Sequence, residues 1–186
     1  MTDEAYVEQI REQREQKAQY FAEHPRSPFP SHADFEGLDY YDVDPAYRYE
    51  LPLEEHDETE EITVETTADG EQHYVRYGAF TVEIDGEAVT LQAYKPVSGE
   101  DRLWVPFRDE TNGEETYGAG RYLDLEPAHH KTDDGNWILD LNQAYNPTCA
   151  YNEAYECPLI PMENWLDVRV EAGEKAYPGE PVGHDH

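Results

Sequence analysis

The C-terminal third of the chain concentrates the residue types that could do chemistry. Between Tyr117 and Lys175 lie both cysteines, together with closely spaced arginine, tyrosine, asparagine and acidic residues. Glycines and prolines interrupt this run too often for a single helix or strand. We therefore expect an irregular segment that carries any functional site, and a scaffold formed by the remaining residues.

The sequence Tyr117-Gly118-Ala119-Gly120-Arg121 is the first candidate. Two glycines permit a bent backbone and the close approach of a ligand or another strand. Arg121 could then offer its planar guanidinium to a carboxylate or a phosphate. The glycine spacing differs from that of nucleotide-binding loops. The alternative is a β-bulge in which Arg121 pairs with a structural carboxylate.

Asp140, Asn142, Tyr145 and Asn146 follow a predicted strand. Asp140 and Asn142 point to the same side if the strand persists, because side chains alternate along a strand. Together the four could orient a polar substrate, with Asp140 as the general base. Alternatively, the asparagines tie down the backbone of a long loop.

Glu163, Asn164 and Lys175 lie before and after the last predicted strand. A buried Glu163 could act as an acid or base with a raised pKa, whereas an exposed Lys175 would form an ion pair of only about 1 kcal/mol. The predicted site has two catalytic carboxylates, Asp140 and Glu163. Its predicted ligand contacts are Tyr117, Arg121, Asn142, Tyr145, Asn146, Asn164 and Lys175.

Cys149 and Cys157 are separated by seven residues. A disulfide is not expected in a reducing cytosol. A zinc site needs about four ligands, and His129 and His130 are the histidines nearest in sequence. A reactive thiolate needs a base or a positive environment. We predict ordinary buried cysteines and no cofactor, with zinc or thiol chemistry at the pair as the alternative.

The charge balance restricts the environment and the partners. The chain has 43 acidic residues against 13 lysines and arginines, a formal net charge of -30. Short alternating apolar runs that contain Trp104, Trp137 and Trp165 favour a folded domain over disorder. An acid-coated surface is screened in molar salt, where the Debye length is about 3 Å, so the composition favours the cytosol of an extreme halophile. It argues against nucleic acid or an anionic membrane as partner.

Two further features indicate a cytoplasmic protein. No apolar run approaches the roughly 20 residues that span a bilayer, and the N-terminal residues lack the basic and apolar regions of a signal peptide.

The periodicity predicts a mainly β fold, an antiparallel sandwich or small barrel, with a docked N-terminal helix over 1–24. Residues 25–61 are expected to form an extended proline- and aromatic-rich wrap that ends in a solvated acidic linker, Glu54 to Glu61. A β domain follows over 62–177, and 178–186 are expected to be disordered. The predicted strands are Ile62–Thr67, Tyr74–Ile84, Val89–Ala93, Leu103–Phe107, Tyr122–Leu125, Trp137–Leu141 and Leu166–Val170.

Several longer motifs resemble those of an uncharacterised family, the "domain of unknown function 1684" family. The motifs are FRDETNGEETYGAGRYLD (Phe107 to Asp124), DLNQAYNPTCAYN (Asp140 to Asn152), CPLIPMEN (Cys157 to Asn164) and AGEK (Ala172 to Lys175), with SPF at Ser27 and FEGLDYY at Phe35. The family pattern more usually has arginine where this chain has Gln143. The resemblance implies a one-domain protein over about residues 5–176 and implies no activity.

Three functional hypotheses follow. The first is a polar pocket for a small anionic ligand, clamped by Arg121, in which hydrolysis could occur. The second is a non-enzymatic module whose helix and aromatic wrap mediate homodimerisation or docking. The third is metal or thiol chemistry at Cys149 and Cys157.

Overall fold

The computed structural model describes residues 2–183, apart from the side chain of His32. It contains a five-stranded antiparallel sheet in the order β2-β3-β4-β5-β6 and a two-stranded antiparallel sheet, β1-β7. The helices and strands are α1 (Asp3–Glu23), β1 (Arg48–Leu51), β2 (Glu54–Glu65), β3 (Glu71–Ile84), β4 (Glu87–Pro96), β5 (Leu103–Phe107), β6 (Arg121–Leu125), α2 (Pro127–His130) and β7 (Trp137–Asp140). Within residues 2–183 neither sheet closes into a barrel, and the predicted mainly β fold is confirmed as a sandwich-like arrangement.

The predicted N-terminal helix is present as α1. Thr2 caps it, since its side-chain oxygen accepts a hydrogen bond from the Ala5 N–H at 3.1 Å and satisfies an otherwise free helix donor. The helix ends at Glu23, shortly before Pro25, whose ring disfavours helical geometry in the residue before it. Its buried residues are Tyr6, Ile10 and Phe21. Because the rest of α1 is largely polar, docking of this face supplies most of its stability.

The main core lies between the five-stranded sheet and β7. Alternate residues of β3 are buried, including Phe80, Val82 and Ile84, as strand geometry requires. The predicted turn at Asp85-Gly86 joins β3 to β4, and both of its residues have positive φ. A second cluster of buried residues is largely aromatic and comprises Val64, Tyr74, Tyr94, Trp104, Tyr122 and Ile160.

The acidic run at Glu54 to Glu61 is part of a strand rather than a linker. It forms the first part of β2, at the edge of the large sheet, with Glu54 opposite Ala79 and Glu61 opposite Val75. The register is irregular between Glu55 and Glu60. The carboxylates of this run are exposed, so the prediction of solvation agrees with the structure. Charged side chains on an edge strand also hinder pairing with another chain.

One other prediction, the strand Leu166–Val170, was wrong. Residues 166–170 form no strand. The Leu166 N–H nevertheless donates to the carbonyl of Arg108, just after β5, at 2.8 Å, so the start of this alternating run is hydrogen-bonded to neighbouring chain. Val182 lies in the segment predicted to be disordered, yet its N–H donates to the Tyr151 carbonyl at 2.8 Å. Residues 184–186 of that segment lie outside the described residues.

No helix within residues 2–183 is both long enough and apolar enough to cross a membrane.

Two glycines with similar backbone angles give a matched test of close packing. Gly173 has a φ of +83°, and a Cβ there would lie 2.8 Å from the Leu141 carbonyl oxygen. Gly86 has a φ of +78° and nothing within 4 Å of that position. Gly86→Ala should cost about 1 kcal/mol from backbone strain. Gly173→Ala should cost at least about 3 kcal/mol, because backbone must also move. Chemical unfolding measures both losses, and equal losses would contradict the proposed packing constraint.

Candidate functional site

A cleft of about 720 Å³ lies between α1 and the segment that carries α2, β7 and the following 3₁₀ helix, Leu141–Gln143. One face of α1 supplies six of its lining residues at helical spacing: Tyr6, Gln9, Ile10, Gln13, Arg14 and Lys17. The opposite side includes His129, His130, Ile138, Asp140, Asn142, Gln143, Ala144 and Tyr145, and Tyr40 and Arg48 complete the lining. Volumes of this size suit small ligands.

Asp140 is buried and fully hydrogen-bonded in the wall of this cleft. The Tyr6 hydroxyl donates to its Oδ2 at 2.5 Å, and the backbone and side-chain amides of Asn142 donate to its Oδ1 at 3.0 Å each. Burial and the bond to Asp140 raise the pKa of Tyr6 well above its usual value. Asn142 Oδ1 also accepts from the Asp44 N–H at 3.0 Å. This network therefore joins α1, the aromatic wrap and the end of β7.

Arg14 projects from α1 into the same wall. Its Nη1 donates to the Tyr41 carbonyl at 2.8 Å and its Nη2 to the Asn142 carbonyl at 3.4 Å. The guanidinium lies 4.3 Å from the centre of the Tyr40 ring, a cation–π geometry. Its Nε is buried and has no partner among the described residues. Burial lowers the pKa of Arg14, which is far too basic to lose its charge.

Lys17 and Tyr145 form the next part of the cleft. The Lys17 ammonium contacts Glu174 Oε1 at 2.8 Å and lies 5.4 Å from the centre of the Tyr145 ring. The Tyr145 hydroxyl donates to Asp124, and burial raises the pKa of this phenol above its usual range. The ring of Tyr145 is therefore a neutral surface beside a cation.

The charges along the cleft differ from those of the chain as a whole. Three of the chain's 13 lysines and arginines line it, namely Arg14, Lys17 and Arg48. Of the 43 acidic residues in the sequence, Asp140 is the one that appears in the lining formed by the described residues. The two histidines of α2 could add positive charge when protonated.

Arg121 lies elsewhere, fully buried beneath the C-terminal segment. Its guanidinium donates to the carbonyls of Ala172, Val170 (2.9 Å) and Glu174 (3.3 Å) and to Asp109 Oδ1 at 3.3 Å. Burial lowers the pKa of Arg121, and Asp109 opposes that effect. The structure thus places Arg121 with a structural carboxylate, the alternative considered above.

The other predicted contacts are also dispersed. Exposed Glu163 pairs with Arg76 at 2.7 Å, while its buried neighbour Asn164 bonds the backbone of Gln92 and Pro106. Asn146 bonds the backbone of the C-terminal segment. The Asn146 side-chain amide donates to the Lys175 carbonyl at 3.0 Å.

Lys175 and Tyr117 likewise lie apart from the cleft lining. The Lys175 ammonium lies 4.8 Å from the centre of the Tyr41 ring, and the Tyr117 hydroxyl contacts Cys149 Sγ at 3.5 Å. Of the predicted site residues, the structure brings Asp140, Asn142 and Tyr145 together in the cleft and places the other six elsewhere.

Both cysteines are free thiols and are buried. In the part of the chain that the structure describes, no group of three or more histidine, cysteine, aspartate or glutamate side chains is arranged to hold a metal ion.

Sequence reasoning missed the α1 face of the cleft. Gln9, Gln13 and Lys17 follow one another at four-residue intervals, and Arg14 lies beside them. They share a side of the helix with the buried Tyr6 and Ile10. That juxtaposition of long polar and apolar residues on one face was the available signal, because residues at such spacing are neighbours on a helix.

A family model and a solved structure both relate the chain to uncharacterised proteins. Residues 33–175 match the family described as "Protein of unknown function (DUF1684)". The chain is 38% identical to an uncharacterized protein of Haloarcula marismortui whose structure was solved by solution NMR, with a TM-score of 0.69. The match covers 98% of this chain and 97% of that chain. The chain matches none of the curated proteins.

Replacing Arg121 tests its structural role. Arg121→Met keeps an unbranched side chain but leaves three carbonyls without the guanidinium and the buried Asp109 carboxylate without its cation. We expect a loss of about 3–5 kcal/mol in the free energy of unfolding, since breaking a buried pair strands its partner. Arg169→Gln removes partly exposed pairs with Glu114, Glu115 and Glu171 and should cost far less, because ion pairs in contact with water contribute little. Equal stability of the two variants would contradict the assignment.

Proposed function

The chain belongs to the DUF1684 family of proteins of unknown function, and we propose that its cleft beside α1 binds a small anionic molecule. The observation that carries the proposal is the charge of the lining. Three lysine or arginine side chains face one carboxylate there, in a chain whose formal net charge is -30. Lys17 and Arg48 are ion-paired with Glu174 and Glu50, so the attraction for an anion centres on Arg14. A concave site with an excess of one sign of charge concentrates ions of the opposite sign.

Arg14 is the proposed clamp for the anionic group, the role first expected of Arg121. Its two terminal nitrogens donate to backbone carbonyls, and it forms no ion pair with any described carboxylate. Asp140 and Asp42 act on its charge through space, and neither pairs with it directly. Its buried Nε lacks a partner, and a ligand oxygen that reached it would satisfy a donor that is otherwise costly to bury.

The rest of the lining favours an organic anion over a bare inorganic ion. Gln9, Gln13 and Gln143 supply amide donors and acceptors, while Ile10 and Ile138 supply apolar surface. The ring of Tyr145 adds a flat contact. A metabolite with one or two carboxylate or phosphate groups on a small apolar body matches these side chains.

Binding is better supported than hydrolysis. Both oxygens of Asp140 already accept hydrogen bonds, from Tyr6 and Asn142, which suits a residue that positions others. Glu163, the second predicted catalytic carboxylate, pairs with Arg76 outside the cleft lining. The two carboxylates of the predicted reaction are therefore not assembled at one place.

A thermal-shift screen of carboxylates and phosphate esters in high KCl tests the cleft. A ligand found in this way should bind Arg14→Gln about tenfold or more weakly, because a charge-assisted bond is lost. Arg48→Gln should bind it a few-fold more weakly. Arg102→Gln is the matched control, since Arg102 pairs with Glu100 and Asp124 and does not line the cleft.

Titration calorimetry then measures the dissociation constants of the unaltered protein and the three variants, with the melting temperature of each recorded beside them. Equal affinity of Arg14→Gln, Arg102→Gln and the unaltered protein would remove the cleft as the binding site.

We also propose that the protein works in a salt-rich cytoplasm. Its net charge is -30, its edge strand β2 exposes a run of carboxylates, and a relative with 38% identity comes from Haloarcula marismortui. Repulsion among these charges destabilises the compact state at low ionic strength, and salt screens it.

Raising KCl from about 0.1 M to about 2 M should increase the melting temperature by about 10 °C, equivalent to several kcal/mol of relieved repulsion. Sucrose, which does not screen charge, should give a smaller increase at the same water activity. Neutralising the exposed Glu58 and Glu60 of β2 with glutamine should reduce the salt dependence. A melting temperature that is the same at both KCl concentrations would refute the proposal.

A further inference from the structure

Cys149 and Cys157 lie next to each other in the irregular segment that follows β7, and neither lines the cleft. The Cys149 backbone N–H donates to Cys157 Sγ at 3.3 Å. Each residue is 7% exposed, so the pair lies just beneath the surface. They are the only cysteines in the sequence.

Local structure holds Cys149, and the connection between β2 and β3 holds Cys157. Cys149 lies in the 3₁₀ helix Thr148–Ala150. Cys157 is anchored through its backbone, since the Thr67 N–H donates to its carbonyl at 2.9 Å and its own N–H donates to Thr67 Oγ1 at 3.2 Å. Backbone bonds to Thr67 therefore fix Cys157 independently of its thiol, and the Cys149 N–H bond to its sulfur joins the two residues.

The surroundings of Cys149 favour its ionised form. Hydrogen bonds from the Cys157 thiol, Tyr117 and Thr67 outweigh burial and lower the pKa of Cys149 to about 6. The hydrogen bond with Cys149, followed by burial, raises the pKa of Cys157 well above its usual value. The surroundings thus favour a thiolate at Cys149 and a protonated thiol at Cys157.

We propose that Cys149 and Cys157 form a redox-active dithiol, which hydroperoxides convert into an intramolecular disulfide. Cys149 is the attacking residue and Cys157 the resolving residue. The site is independent of the proposed anion-binding cleft.

The reaction balances with hydrogen peroxide as the oxidant. The Cys149 thiolate attacks one peroxide oxygen, the O–O bond breaks, and hydroxide leaves to give a sulfenic acid at Cys149. The Cys157 sulfur then attacks the Cys149 sulfur, an S–S bond forms, and the hydroxyl leaves with the Cys157 proton as water. Two thiols lose two electrons in total and the peroxide gains them. A thiol reductant restores the starting state.

The experiment treats the full-length, reduced protein with stoichiometric hydrogen peroxide and follows the loss of free thiols and the intact mass. We expect the mass to fall by two hydrogen atoms and dithiothreitol to restore it. Cleavage after glutamate then locates the bond, because Glu153 and Glu156 lie between the two cysteines. The expected product is a pair of peptides joined through Cys149 and Cys157.

Serine variants separate the two roles. Cys157→Ser should accumulate a dimedone-reactive sulfenic acid at Cys149. Cys149→Ser should react with peroxide several-fold more slowly at Cys157, because burial still raises the pKa of that thiol after the bond to Cys149 is lost. Tyr117→Phe removes one donor to the Cys149 sulfur and should slow oxidation about threefold. Circular dichroism confirms that each variant is folded.

Two outcomes would overturn the proposal. In the first, both thiols of the folded protein remain unreacted while those of the denatured protein oxidise. In the second, peroxide carries Cys149 to a sulfinic acid without joining it to Cys157. Neither outcome bears on ligand binding at Arg14, so the two proposals are tested separately.

Discussion

The C-terminal segment from Val170 to Glu174 depends on the buried guanidinium of Arg121. This segment is enclosed by the core but belongs to no sheet, so its carbonyls cannot use a regular ladder. Arg121 donates to the carbonyls of residues 170, 172 and 174 and replaces a neighbouring strand by a single side chain. Asp109 balances the charge and also accepts from the Val170 N–H at 2.7 Å. Without that donor, the segment would carry several unpaired carbonyls into the interior.

Glu174 extends this arrangement to the outer elements. Its carboxylate accepts from Lys17 of α1 at 2.8 Å, from the Asn146 N–H at 3.0 Å and from the Tyr151 hydroxyl. Its own N–H donates to the Ala144 carbonyl at 2.9 Å. One buried acid therefore joins the helix, the long loop and the last segment. The wall of the cleft is built on this junction, because Lys17 and Ala144 both line it.

The parts of the fold that follow local rules could be predicted from the sequence. The capped helix at Thr2, the turn at Asp85-Gly86 and the alternating strands around it each depend on residues close together in the chain. Strand β2 was only partly recognised, because a run of glutamates has low strand propensity. Its pairing with β3 overrides that preference.

The candidate site was predicted less completely, for a related reason. Arg121, Asn146 and Asn164 have the side chains of a binding site, and the structure uses them to satisfy the backbone of loops. Sequence spacing cannot distinguish a guanidinium that faces a ligand from one that faces three carbonyls. Asp140, Asn142 and Tyr145 are near neighbours in sequence, and all three line the cleft. Their partners on α1 are more than 100 residues away in the chain, and only the docking of the helix brings them near.

The distribution of positive charge links the fold to the proposed function. In a chain with so few lysines and arginines, Arg121 and Lys17 neutralise the buried acids Asp109 and Glu174. Arg14 differs from both, because backbone carbonyls hold it and no described carboxylate pairs with it. The two backbone carbonyls fix the partly buried guanidinium of Arg14 in position without pairing it with a carboxylate. A structural arginine that is already paired with a carboxylate attracts an anion less, whereas Arg14 combines a fixed position with the absence of a direct ion pair to any described carboxylate. That combination distinguishes the α1 cleft from the other polar clusters of the molecule.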